Sequence, residues 1–132
     1  MHKGFLITAA FLGALSVALG AFGAHSLKTL LSEQAISTYE TAVRYQFYHV
    51  FALALTGILQ KSYDNKFVKY AGTFYIMGII LFSGSLYLLT FFSATGNDHF
   101  KWIGAITPLG GILLMGAWLL LAIGIKKGQV NG

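Results

Sequence analysis

Three stretches of this chain, residues 5–24, 70–94 and 102–125, contain no charged side chain. A helix rises 1.5 Å per residue, so twenty residues make roughly 30 Å, the thickness of a bilayer's hydrocarbon core. A soluble domain of 132 residues would lack the polar surface to cover three such segments. Charged residues make up only 10% of the chain and hydrophobic ones 56%, where a soluble domain carries about 25% charged. The chain is therefore read as an all-α membrane protein, a single membrane domain over residues 1–132.

Four transmembrane helices are expected, at about 5–24, 44–60, 68–92 and 102–125. The first follows His2 and Lys3 and ends in Ala21-Phe22-Gly23-Ala24, which also suits a cleaved signal peptide. Its apolar run is long for that, and it is read as a retained span. Residues 26–43 differ in character. Leu27, Leu30, Leu31, Ile36, Tyr39 and Val43 recur at helical spacing among polar residues, predicting a short interfacial amphipathic segment between spans one and two. Ser37 and Glu40 predict a capping box, and a helix from there to Gln60 would be about 36 Å long, with its first turns in the headgroup region. The apolar part of span two, residues 50–59, is too short to cross alone. That span must carry Arg44, Gln46 and His49 at its outer edge. Pro108, the one proline, falls in the second turn of span four, where its missing N–H costs little.

Orientation follows from counting Lys and Arg. Lys3, Lys61, Lys66, Lys69, Lys126 and Lys127 share one side; Lys28, Arg44 and Lys101 share the other. Cytoplasmic loops carry the excess, so the N- and C-termini are expected in the cytoplasm. The nine basic residues are scattered near span ends. That suits contact with membrane lipids, and no nucleic acid partner is expected.

Lipid tails give helices no hydrophobic reason to associate, so close backbone approach must do it. Small residues recur every seven positions: Gly13 and Gly20, Gly78 and Ser85, then Gly110, Ala117 and Gly124. These mark the expected packing faces of a four-helix bundle with little room for a channel inside one subunit.

Polar residues within the spans cluster at one depth. His25 closes span one, Gln46 and His49 lie near the outer end of span two, Ser83, Ser85 and Tyr87 in the outer half of span three, and Thr107 in span four. Helix rise puts His49, Tyr87 and Thr107 roughly 7–10 Å below the outer boundary. Buried polar groups in a bilayer need partners. The layer is read either as hydrogen bonding that holds the helices together or as a pocket for a lipid headgroup, a small molecule or a proton. Arg44 points elsewhere on the helix and stands one turn after Glu40, so a headgroup contact or an ion pair is expected of those two.

Catalytic patterns are missing: there is no G-x-S-x-G, no H-E-x-x-H, no phosphate-cradling loop and no intramembrane carboxylate pair. There is no cysteine, which excludes thiolate chemistry. His25 and His49 could suggest haem ligation, but their depths differ by roughly 6 Å on straight helices. No cofactor and no metal are expected, and the chain is not read as an enzyme.

Four segments carry a resemblance. They are Gly20-Ala21-Phe22-Gly23-Ala24-His25, Ala42-Val43-Arg44-Tyr45-Gln46-Phe47-Tyr48-His49, Phe82-Ser83-Gly84-Ser85-Leu86-Tyr87 and Gly104-Ala105-Ile106-Thr107-Pro108-Leu109-Gly110-Gly111. In order and spacing they resemble the family called domain of unknown function 423, to which transmembrane protein 256 is related. The resemblance implies a small multi-span membrane protein of bacteria and mitochondria-bearing cells and implies no activity; the bacterial inner membrane is the expected location. The expectation is a non-enzymatic membrane protein, either a homo-oligomer or an accessory subunit of a larger membrane complex. The alternative is a binder or carrier of a lipid or small ligand at the polar layer.

Overall fold

A computed structural model describes residues 1–128; the C-terminal end, expected on the cytoplasmic side, lies outside them. Four α-helices follow one another: α1 (Lys3–His25), α2 (Glu33–Leu59), α3 (Lys66–Ala94) and α4 (Ile106–Lys127). Short 3-10 segments at Leu27–Thr29 and Asp98–Ala105 precede α2 and α4. Among the described residues there is no strand. Lys3–Thr29, Lys66–Ala94 and His99–Lys127 are long and apolar enough to cross a membrane.

Local sequence explains the boundaries. His2 caps α1: its Nδ1 accepts the Phe5 N–H at 3.0 Å and its ring stacks on Phe5. It is therefore a structural residue, although a terminal histidine reads as a solvated one. α3 starts at Asn65, whose Oδ1 accepts the N–H groups of Phe67 and Val68, and whose Nδ2 donates to the Gly124 carbonyl at 2.9 Å. One side chain thus clips the start of α3 to the end of α4. α3 stops at Gly96, the one described residue with positive φ (70°). There the Asn97 N–H reaches back to the Phe92 carbonyl at 3.0 Å, which satisfies a carbonyl the helix end would orphan.

Two sequence expectations are corrected here. Residues 33–43 are the first turns of α2, which runs unbroken through Arg44 and starts earlier than the helix expected from Ser37 to Gln60. Its N-cap is Ser32, not Ser37. Ser32 has extended backbone angles, its hydroxyl accepts the Ala35 N–H at 3.2 Å, and its carbonyl accepts from Ile36. With those donors satisfied five residues earlier, the Ser37–Glu40 pair falls inside the helix. Likewise α4 begins at Ile106, not Trp102, because Asp98–Ala105 is 3-10 and bends at Phe100. Pro108 is therefore the third residue of α4, in its first turn, where no N–H has an intrahelical partner to lose.

α1 packs on α2, α2 on α3 and α3 on α4. Tyr75, Leu53, Val68, Ala71 and Ala117 are fully enclosed. α1 is the most peripheral helix and buries only Phe5, Ala9 and Ser16. α2 is the unusual one. It buries Gln46, His49, Thr56 and Leu53, while Tyr48, Phe51, Leu55 and Ile58 are 54%, 68%, 45% and 52% exposed. From Gln46 onward Gln46, His49 and Thr56 face the protein while aromatic and aliphatic side chains face out; before that, Glu33, Gln34, Ser37, Glu40 and Arg44 are exposed.

The glycine ridges are unequal. A Cβ on Gly110 would collide with the Phe82 backbone, one on Gly78 with Leu114, and one on Gly124 with Val68. These three set the close approach of α3 and α4. At Gly13 and Gly20 a Cβ would meet Val50 and Val43 at 3.6 and 3.5 Å, ordinary contact. Two further positions, Gly23 against Tyr39 and Gly72 against Phe5, lie off the seven-residue pattern and are equally tight.

Candidate functional site

The inward face of α2 organises the polar residues. Gln46 is 2% exposed. Its Nε2 donates to the Leu12 carbonyl of α1 at 3.2 Å, and its Oε1 accepts the Tyr87 hydroxyl of α3 at 2.7 Å. Ser83 donates to the Ala42 carbonyl at 2.7 Å, a second link from α3 to α2. The hydroxyls of Ser85 and Thr107 bond each other and join α3 to α4. Each pair of consecutive helices is thereby stitched at one level. In a bilayer such contacts contribute about 0.6 kcal/mol each. The Leu12 carbonyl also accepts from Ser16 at 2.7 Å, which explains a buried serine on an otherwise apolar helix.

His49 does not enter this layer. Its Nδ1 donates to the Tyr45 carbonyl on its own helix at 2.7 Å. Its ring lies among Tyr45, Tyr75 and Trp118, with centroids 6.0–6.1 Å apart. His49 is inside the protein, one turn deeper than Gln46, in an aromatic surrounding. His25 is exposed, and none of the described residues hydrogen-bonds its ring. The residues brought together are thus Gln46, Ser83, Ser85, Tyr87 and Thr107.

Arg44 and Glu40 are both exposed. The expected ion pair between them is not formed: among the described residues the one salt bridge is Lys69 to Asp64 at 3.1 Å. That pair joins Asp64, in the turn between α2 and α3, to the first turn of α3. Its hydrogen bond from Lys69, then one from Gln60, hold the Asp64 carboxyl below its usual range. Both partners are about half exposed, so the bridge contributes little.

Sequence reasoning missed three residues. Tyr39 is buried, donates its hydroxyl to the Leu19 carbonyl and sets its ring edge-on to Tyr87. Asn65 clips α3 to α4. Tyr75 is fully enclosed and its hydroxyl has no partner. The i, i+7 distance from Gln46 to Tyr39, two turns along one stripe, was a signal for the first; nothing local marks Tyr75.

Among the described residues, two surface clefts lie apart from Gln46 and His49. One of about 370 Å³ lies between the start of α2 and the end of α3, lined by Gln34, Thr38, Thr90, Ser93 and Asn97. The other, about 320 Å³, lies between the end of α1 and the first turns of α2, lined by Gly20, Gly23, Lys28, Glu40, Val43 and Arg44. Among the described residues no three His, Asp or Glu side chains gather to hold a metal.

Residues 19–111 match the profile of the family described as "Protein of unknown function (DUF423)". The match takes in the whole polar layer. The chain belongs to this family. Similar proteins share nearly its full length. A UPF0382 membrane protein of Staphylococcus haemolyticus is 39% identical over 125 residues, covering 95% of this chain and 97% of its own. One of Haemophilus influenzae is 39% identical over 129 residues, 98% of both chains. The Bacillus subtilis protein YwdK is 35% identical over 126 residues, 95% of this chain and 98% of its own. No solved structure matches. The family is thus one of membrane proteins, and neither its description nor these names state an activity.

Proposed function

We propose that the chain is a four-span, non-catalytic protein of the bacterial inner membrane that works by association, with copies of itself or as an accessory subunit. The observation that carries the fourth span is the inverted face of α2. A helix lying in water or at the interface would turn Gln46 and Thr56 outward and hide Phe51 and Ile58; a helix in lipid does the reverse. The six-to-three division of Lys and Arg supports both termini in the cytoplasm.

Association is supported by α1. Ala10, Ala14 and Ala18 are exposed at four-residue intervals, on a helix that buries three of its 23 residues. Small residues at this spacing let a neighbouring helix approach closely. A native mass spectrum from mild detergent tests the reading. The wild type is expected as a dimer or larger assembly, or with a co-purified membrane protein, and Ala14→Leu is expected to shift it to the lone chain. A wild type that is a lone chain throughout contradicts association.

The polar layer supports adhesion between helices over ligand binding. Gln46, Tyr87, Ser83, Ser85 and Thr107 each hydrogen-bond one another or a backbone carbonyl, so the layer's bonds run between helices.

A further inference from the structure

We propose that the cleft between the end of α1 and the first turns of α2 seats the phosphodiester headgroup of a membrane phospholipid carrying one net negative charge. Lys28 and Arg44 line it, with Glu40 between them in the chain. Glu40 and Arg44 stand one turn apart on α2, where an ion pair is ordinarily available. Yet neither they nor Lys28 makes a hydrogen bond or ion pair among the described residues. Two cations and one carboxylate leave one positive charge, which a single phosphodiester neutralises.

The chemistry of each side chain fits a part of that ligand. The planar guanidinium of Arg44 can hold two phosphate oxygens at once, and Lys28 adds a point charge. The Glu40 carboxylate accepts hydrogen bonds from headgroup hydroxyls. Gly20, Gly23 and Val43 give the cleft an apolar wall against which the glycerol and first acyl carbons can lie.

Depth agrees as well. Twenty residues counted back from Leu59, the end of α2, reach Glu40, which sets it at the hydrocarbon boundary roughly 30 Å away. Gly23 comes two residues before the end of α1 and packs against Tyr39, so it stands at the same level. A phosphate at this height is where a bilayer puts its own. The depth rests on α2 crossing the membrane, but binding can be read in detergent, so failure of the site and failure of the topology are separate results.

The test titrates dioleoylphosphatidylglycerol into the full chain purified in detergent and follows the melting temperature. Saturable stabilisation of the wild type is expected. Arg44→Gln and Lys28→Gln should each need roughly tenfold more lipid, the loss of one charge-assisted contact. Their melting without added lipid should match the wild type, because neither residue has a partner to lose. Lys61→Gln, at the other end of the protein, should titrate as wild type. Zwitterionic dioleoylphosphatidylcholine and millimolar inorganic phosphate should not reproduce the shift. If the two cleft variants titrate as wild type, the proposal fails; it fails equally if phosphatidylcholine or inorganic phosphate alone gives the same shift.

Discussion

Two tyrosines on α3 separate what a buried hydroxyl contributes from what it costs. Tyr87 donates to Gln46 Oε1, so Tyr87→Phe would leave that oxygen without its partner. Tyr75 is fully enclosed where Tyr87 is half-buried, yet the Tyr75 hydroxyl bonds nothing, and an unmet buried group is a penalty. Unfolding in mixed micelles should therefore show Tyr87→Phe losing about 0.6–1.7 kcal/mol and Tyr75→Phe unchanged or more stable. The reverse order would mean that Tyr75 holds a partner, such as an enclosed water. This residue-level contrast also marks what the sequence could tell. Helix rise is fixed, so depth alone was enough to bring Ser85 near Thr107 and Tyr87 near α2. Which residue of α2 meets Tyr87 depends on rotation and on the space left by neighbours. Tyr75 and Trp118 surround the ring of His49, so Gln46 takes the hydrogen bond that depth had assigned to His49.

At the scale of elements, the α3–α4 contact rests on glycines whose missing Cβ is filled by the partner helix. Gly110 abuts the Phe82 backbone, which has no rotamer with which to give way. Gly110→Ala should destabilise by about 1–3 kcal/mol, the usual cost of overpacking. Gly20→Ala should be close to neutral in the same measurement, since its Cβ would meet Val43 at an ordinary 3.5 Å. Equal losses at both positions would contradict this ordering. Seven-residue spacing was enough to find these ridges, because it reports which residues share a helix face. It carries no information on whether that face meets backbone or a flexible side chain, and so could not rank them. Helix starts follow the same logic. The sequence pattern pointed to Ser37 as a cap, and the extended backbone at Ser32 puts the cap there instead.

At the scale of the whole molecule, the question is whether α2 crosses the bilayer. Averaged around its circumference α2 is less apolar than its neighbours, and by length and apolarity three helices qualify as spans without it. An average discards direction, and direction is what the bilayer acts on: Gln46, His49 and Thr56 in the second half of α2 are enclosed by the protein, and lipid would meet Tyr48, Phe51, Leu55 and Ile58. Sequence showed that span two had to carry polar residues, but only packing could show that they are turned inward. The chain has no cysteine, so single cysteines can be introduced without removing others. Thr29 and Ser62 flank α2 at its two ends. In intact cells a membrane-impermeant maleimide should label Thr29→Cys from outside and should reach Ser62→Cys only after permeabilisation. Labelling of both from outside, or of neither, would mean that α2 does not cross, and the four-span account would be wrong.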